Sequence, residues 1–542
     1  MVQSTSPVAR LWNLVQEEKS EISAIYFFAI LSGLIQLTIP VGIQSIIGFV
    51  LGGTLSASLT MLIIVLVLAV LFTGIIQINQ MKVIEKIQQR IFVRYSFAFA
   101  DRIPRLDLKK VDGFYLPELV NRFFDTVSLQ KGFAKLLLEL PIAVIQIFFG
   151  LLLLSFYHPF FIFFGILIIM LLWLILRTTG NRGLKSSLAE SSFKYGLVGW
   201  LEELARMVKS FKFSSAGLHL SKADEKTGHY LAARTNHFKV LEFQYKILVA
   251  FKVLITAAML VGGVLLLLNQ QINIGQFVAA EIIILTIIAS IERIITNLDS
   301  VYDIMTAVEK IGKLTDKPVE SGGQYVLDSY SPPSIDAEGL GFSYESRRVV
   351  HDLDFKIQPG EKVCIMGRAG SGKSTLLKLL SGIYRDFDGR LLINKIPVGN
   401  YDLVSLREKM GILFQQEYVF HGTLWENLTM GKPVPDRTYI HQLCEKAGLL
   451  PFLAALSDGY DAELDPDGKR LPRSVVQKIL LVRALAHKPS LLIMEEPWQG
   501  VEEEDRRNIQ ELILNNQTAT IIVATTDESF SRQCHQVIYM DK

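Results

Sequence analysis

Cysteine is scarce in this chain: three residues in 542, Cys364, Cys444 and Cys534. Their spacing fits neither a metal-ligand pattern nor a disulfide framework. That excludes a zinc- or disulfide-stapled module and leaves three packing thiols in a reducing compartment. A charge excess of one sign is lacking too. Lys and Arg number 55 against 53 Asp and Glu, a formal +2, so nothing in the balance points to nucleic acid as a partner. The front of the chain shows no cleavable-signal pattern. Only Arg10 precedes a mixed, amphipathic stretch from Val8 to Glu18, with Lys19 after it. This stretch reads as a short helix on a membrane surface or, alternatively, as a plain soluble N-terminal helix.

Apolar sequence is abundant. Half of the residues are hydrophobic and mean hydropathy is +0.34. The length is too great for one core, so at least two domains are expected. The apolar excess lies in residues 22–300, where six segments approach the roughly 20 residues a spanning helix needs: 23–49, 57–80, 136–156, 159–176, 247–268 and 273–296. Leu51-Gly52-Gly53-Thr54, Tyr157-His158-Pro159 and Asn269-Gln270-Gln271 are short, uncharged connections, whereas 81–135 and 177–246 are long and rich in Lys and Arg. The positive-inside rule assigns the long connections and both termini to the cytoplasm. Their helical periodicity predicts spanning helices that continue into the cytosol, turning through short segments at Pro117 to Thr126 and Leu201 to Phe211. Glu281 is the acid well inside a span. It is a candidate substrate-cavity contact, with a structural hydrogen bond to another helix as the alternative. Gln36, Gln44, Gln77 and Gln146 read as helix–helix glue.

After a Pro/Gly/Ser-rich linker the pattern changes. The division expected is a transmembrane domain over 1–318, a linker over 319–333 and a second domain over 334–542. Strand-like Lys362-Val363-Cys364-Ile365-Met366 runs into Gly367-Arg368-Ala369-Gly370-Ser371-Gly372-Lys373-Ser374, and Thr375 to Leu380 opens a helix. This is the G-x-x-x-x-G-K-[ST] loop in its strand–loop–helix context. Backbone N–H groups cradle phosphate oxygens, Lys373 reaches the β/γ-phosphates and the Ser374 hydroxyl meets Mg²⁺. The fold class expected is an α-helical six-span transmembrane domain followed by an α/β P-loop nucleotide-binding domain, with ATP and Mg²⁺ as ligands.

At this point the chain resembles the ATP-binding cassette transporters. Phe342-Ser343-Tyr344, the P-loop, Ile412-Leu413-Phe414-Gln415, Gly459-Tyr460-Asp461, Gln477 to Leu485 and Leu491 to Glu496 follow in the family's order and spacing. The membrane half resembles six-helix exporter halves, above all bacterial exporters of bacteriocins and haemolysin-like toxins without a peptidase domain. Ile274-Gly275-Gln276-Phe277 and Val308-Glu309-Lys310-Ile311 look like their last span and exit helix. The resemblance implies a multi-pass protein of the bacterial plasma (inner) membrane. It also implies a second half-transporter as partner, in a homodimer or in a heterodimer with a regular cassette, and brings in type I secretion with a periplasmic adaptor. Each ATP would lie between one P-loop and the partner's Leu-Ser-Gly-Gly-Gln signature. By position, Tyr344 stacks on adenine, Gln415 senses Mg²⁺ or water, and Glu496 is the general base.

The sequence departs from that pattern at several points. The signature reads Leu471-Pro472-Arg473-Ser474-Val475, where Pro472 has no N–H to give and Arg473 replaces a bare glycine. Glu495 stands for the Mg²⁺-binding aspartate, keeping the charge with one more methylene. Thr526 stands at the switch histidine, and Gln499-Gly500-Val501-Glu502 replaces the usual loop. The chain reaches Asp541-Lys542 where the family continues with a strand pair. The sequence therefore reads as an exporter half that binds ATP and moves a peptide- or protein-like substrate, with slow or partner-dependent hydrolysis. A hydrolysis-deficient gating or partner subunit is the alternative.

Overall fold

Backbone polar groups find no partner in hydrocarbon, so long apolar runs must close their hydrogen bonds internally as helices. A computed structural model describes residues 6–53, 57–113, 115–214, 216–327, 331–415, 418–434, 436–465 and 470–540. Thr54, residues 328–330 of the linker and Asp541-Lys542 lie outside the described residues. The chain divides into two compact units. Residues 1–106 with 111–319 form the first, and residues 107–110 with 320–542 form the second.

The helices up to residue 315 are α1 (Pro7–Glu17), α2 (Lys19–Leu51), α3 (Ala57–Arg102), α4 (Leu108–Val111), α5 (Leu116–Asn121), α6 (Asp125–Tyr157), α7 (Phe160–Arg206), α8 (Val208–Lys212), α9 (Leu218–Leu268), α10 (Ile274–Thr296) and α11 (Leu298–Thr315). Six stretches are long and apolar enough to cross a membrane, one for each span expected from the sequence. Several are far longer than a bilayer requires; α9 alone has 51 residues. Pro40 sits inside α2 without ending it. One core cluster of this unit is an apolar seam in which Leu154, Ile168, Phe251, Ile284, Ile287 and Ile291 from α6, α7, α9 and α10 meet.

Polar side chains fasten the spans as expected of helix glue. Gln146 on α6 donates to Gln36 on α2 and accepts from Ser290 on α10 at 2.8 Å. Tyr157 donates to Gln44 at 2.6 Å. Gln77 makes no hydrogen bond to a described residue.

One face of the first stretch packs on protein, while Val8 and Trp12 stay exposed. Leu14 of α1 is buried, Leu11 and Val15 pack on the same cluster, and Arg10 bonds Glu309 at 2.6 Å and also Asp316. Protein supplies both an apolar partner and countercharges, so this face of the helix is not left for lipid.

The second unit contains β1 (Ile335–Tyr344), β2 (Arg347–Ile357), β3 (Lys362–Met366), α12 (Lys373–Leu380), β4 (Asp388–Ile393), β5 (Ile396–Pro397), α13 (Leu403–Glu408), β6 (Met410–Leu413), β7 (Gly422–Thr423), α14 (Leu424–Thr429), α15 (Arg437–Lys446), α16 (Leu450–Ala455), β8 (Glu463–Leu464), α17 (Arg473–Leu485), β9 (Leu491–Glu495), α18 (Glu503–Leu514), β10 (Thr520–Ala524), α19 (Glu528–Ser531) and β11 (Gln536–Tyr539). A five-stranded sheet runs β11-β3-β10-β9-β6 with every pairing parallel. Its central strands are mostly apolar and almost wholly buried, as a sheet covered on both faces requires. An antiparallel sheet, β2-β1-β4-β5, carries Tyr344 at one end of β1. Linker residues are laid onto this unit: Gly323 N–H donates to the Tyr401 carbonyl at 2.8 Å, and Arg407 grips Glu320 with two bonds. Cys364 and Cys444 are buried.

In the first unit, a Cβ at Gly183 of α7 would run into the buried ring of Tyr302, whose hydroxyl accepts from Gln244 at 3.0 Å. Gly183→Ala is therefore expected to destabilise the chain by about 1–3 kcal/mol through overpacking. A lowered melting temperature of the purified protein checks it.

Candidate nucleotide site

Parallel strands end together, and their carboxyl ends are where α/β sheets bind ligands. The register places Ile365 beside Ala524, Ala524 beside Glu495, and Met494 beside Leu413. The loop after β3, Thr525 and Thr526 after β10, Glu495 and Glu496 at the end of β9 and Gln415 after β6 thus meet at one edge. Gly370, Lys373, Ser374, Gln415, Glu495, Glu496 and Thr526 line a cavity of about 610 Å³ there with Tyr344.

The P-loop bends sharply enough to need its glycines. Gly370 and Gly372 have φ of 79° and 97°, and a Cβ at Gly372 would sit 2.8 Å from the Val349 carbonyl oxygen. Gly372 then caps α12, whose first residues are Lys373, Ser374 and Thr375. Lys373 folds across its own loop, its Nζ donating to the carbonyls of Gly367 (2.6 Å) and Arg368 (2.9 Å). Ser371 is 8 % exposed and its Oγ has no hydrogen-bond partner among the described residues. Arg368 and Ala369 are exposed at the loop's crown. Tyr344 lies edge-on to Phe342 and Tyr384, and its hydroxyl is 3.3 Å from Thr375 Oγ1.

The acid pair divides by environment. Glu495 is buried, accepting from the Ser374 hydroxyl through one oxygen and from the Gln415 N–H at 3.3 Å through the other. The additional methylene carries this carboxylate onto the hydroxyl expected to share Mg²⁺ with it. Gln415 also donates from its side chain to Gln499 at 3.2 Å. Glu496 has φ of 43°, a strained backbone for a non-glycine residue and of the kind that clusters at functional sites. Thr525 Oγ1 and Thr526 N–H hold its two carboxylate oxygens, each at 2.9 Å. Thr526 therefore contributes its backbone, while its side chain lines the cavity. Behind it, Asp527 bonds Arg506 and Gln510 and accepts from the Ser529 and Phe530 N–H groups. Burial pushes its carboxyl up, but hydrogen bonds from Ser529 and Arg506 outweigh it and hold the pKa at about 2.

The signature segment is built differently. Helix α17 starts at Arg473 with Pro472 as its N-cap, whose side chain can accept no bond from the first turn, although its carbonyl accepts from the Val475 and Val476 N–H groups at 3.0 and 3.2 Å. Pro472 and Arg473 are exposed, while Leu471 and Val475 pack on the cassette core. The Glu502 carboxyl is held below its usual range by its own backbone N–H, by Lys478 and by the Ser474 hydroxyl. That serine therefore serves Glu502. The structure does not bring Leu471 to Val475 into the cavity. Glu281 is half-buried on α10, with no ion pair or hydrogen bond to a described residue. Sequence reading named Gln499 without a role and missed Arg347, Val349 and Thr525 as residues of the site. Of these only Thr525, adjoining the switch position, could have been found from spacing.

Residues 350–499 match the family of ABC transporter domains. The second unit carries an ABC transporter cassette. Over nearly its whole length the chain also shares a fold with a solved bacterial Atm1-family ABC exporter with ATP bound, at TM-score 0.81 and 18 % identity, covering 97 % of this chain and 94 % of that one. Among curated relatives it is 30 % identical over 284 residues to an ATP-dependent lipid A-core flippase of Burkholderia orbicola, covering 52 % of this chain and 47 % of that protein. It is 29 % identical over 360 residues to the flippase of the same name from Hahella chejuensis, covering 60 % and 61 %. The chain thus spans about half to three fifths of the curated relatives it matches.

The donor set suits a nucleotide with its metal. A glycine cradle leaves room for phosphate, an orphaned Ser371 hydroxyl lies within the loop, and a buried carboxylate meets the Ser374 hydroxyl. Lys373→Ala removes a charge-assisted contact of about 1.5–3 kcal/mol and should weaken ATP binding at least about tenfold in equilibrium titration.

Asp527 supports the cassette from behind. Its carboxyl is lowered in the folded state, so its contribution is present above about pH 4 and is lost as pH falls toward 2. Asp527→Ala, which deletes a cap and an ion pair, should cost about 1–3 kcal/mol near pH 7 and far less in acid. Denaturant melts at the two pH values check it.

Proposed function

We propose that this chain is one half of an ABC exporter, binding ATP with Mg²⁺ in the cassette and coupling it to outward movement of a substrate through the six-span unit. The observation that carries the reading is the convergence of Tyr344, Lys373, Ser374, Gln415, Glu495 and Glu496 on one cavity. In this reading Tyr344 lies against adenine, Lys373 turns from its own loop carbonyls to the β/γ-phosphates, and Glu496 takes a proton from the attacking water. Ser374, Glu495 and Gln415 would hold Mg²⁺, which supplies charge neutralisation on the phosphates. The partner is a second half, identical or different, and the setting is a bacterial inner membrane with both termini in the cytoplasm. Basic long connections support that orientation.

For the substrate, the relatives favour lipid over the peptide or protein that resemblance to toxin exporters suggested. Type I secretion with a periplasmic adaptor gains no support from them.

A second reading has its own observation. Both oxygens of Glu496 are engaged by Thr525 and Thr526, and the signature helix begins at a proline. A cassette of this kind binds ATP and gates or assists a more regular partner, with little turnover of its own. Each missing contact to the transferring phosphoryl group is worth about 3 kcal/mol, roughly a hundredfold in rate.

Turnover by the membrane-reconstituted chain alone, beside Glu496→Gln and Lys373→Ala, decides between them. Turnover lost in both variants establishes a self-sufficient ATPase. If the parent is silent and only Lys373→Ala loses ATP binding, the gating reading stands; if the parent binds no ATP, both readings fail. Under either surviving reading, Thr526→His with Pro472→Ser and Arg473→Gly should raise phosphate release about tenfold or more. Stimulation by added lipid but not by peptides is the expected result for cargo.

A further inference from the structure

The first unit contains a second cavity, about 560 Å³, at the far end of α11. Four cations line it: Arg10, Arg122, Lys313 and Lys317. Three carboxylates share the wall, and they are already committed. Glu309 and Asp316 pair with Arg10, and Glu118 accepts from Arg122 Nη2 at 3.0 Å. Lys313 has no hydrogen bond or ion pair to a described residue.

Arg122 is the informative side chain. It is 7 % exposed, its guanidinium lies 5.1 Å over the Tyr195 ring, and its Nε and Nη1 have no hydrogen-bond partner among the described residues. Buried guanidinium donors are costly to leave unmade. Lys317, beside it, is pushed below the usual lysine range by burial and by the Arg122 and Lys313 charges. The Arg122, Lys313 and Lys317 charges therefore repel one another across this wall.

We infer that this cavity is a binding site for a small phosphate-type anion, independent of the cassette and of the function proposed above. Arg122 forms its buried wall, and Lys313 and Lys317 close on the anion from α11 and the residues after it. Lys313 lies 17 residues beyond Thr296, the end of α10, or about 25 Å along a helix at 1.5 Å per residue. That distance from the last apolar span favours a soluble anion over a lipid head group. A bound anion would tie the short helix α5 to the exit helix α11 through Arg122 and Lys313.

The test uses the full chain carrying Lys373→Ala, so that the cassette's own phosphate grip is removed, in neutral phosphatidylcholine nanodiscs. Radiolabelled inorganic phosphate is titrated by equilibrium dialysis at constant ionic strength. Saturable one-to-one binding is expected, weakened at least about tenfold by Lys313→Gln with Lys317→Gln and likewise by Arg122→Lys, since each charged contact is worth a factor of that order. Melting curves without phosphate show that the variants are folded. Absence of saturable binding, or binding indifferent to the lysine pair, overturns the assignment. So does stabilisation seen only in nanodiscs containing phosphatidylglycerol and dependent on the same lysines, which would give the site to a lipid head group.

Discussion

The cassette depends on the parallel register of its central sheet. Four neighbouring strands stop at the same level, so loops separated by well over a hundred residues deliver their polar groups to one edge. Each contribution is weak alone: a lysine bent over its own loop, a serine hydroxyl on a glutamate, a glutamine N–H on the same glutamate. Held side by side by strand hydrogen bonds, they form a site that needs little rearrangement to take phosphate. The strain at Glu496, with φ of 43°, is sustained by the same register, because its N–H donates to the Ala524 carbonyl and its carboxylate accepts from Thr525 and Thr526, which follow β10.

The first unit obeys a different constraint. Over its apolar stretches polar side chains are few, and some of them bond one another across helices. Gln36, Gln146 and Ser290 do so, joining three spans. Beyond the apolar stretches the same helices become ionic. Arg90 and Arg94 gather Glu18 and Glu21 at the junction of α1 and α2, and Arg10 reaches across to α11. The first helix is thereby part of the folded unit.

Departures from the family pattern sort by what the fold still uses. Glu495 remains at the nucleotide edge, with Ser374. Thr526 remains there through its N–H. Pro472 and Arg473 stand apart, exposed at the start of α17, while their neighbours Leu471 and Val475 are held by the core. A helix start can lose its capping serine without losing its packing, and this is why the segment keeps its place in the fold while its side-chain chemistry has changed.

Periodicity and motif spacing by themselves determined the six spans, the strand–loop–helix around Lys373 and the order of the loops along the cassette. Each follows from local rules: the length of an apolar run, the need for glycine where φ is positive, the reach of a lysine at the start of a helix. Tertiary structure alone decided what those residues touch. That α1 packs on protein depends on Glu309 and Asp316, almost three hundred residues away. That Thr525 and Thr526 hold Glu496 depends on which strands are neighbours. That Arg122 is buried with unspent donors beside Lys313 depends on where α5 and α11 meet. Such pairings are set by long-range packing, and no window of sequence contains both partners.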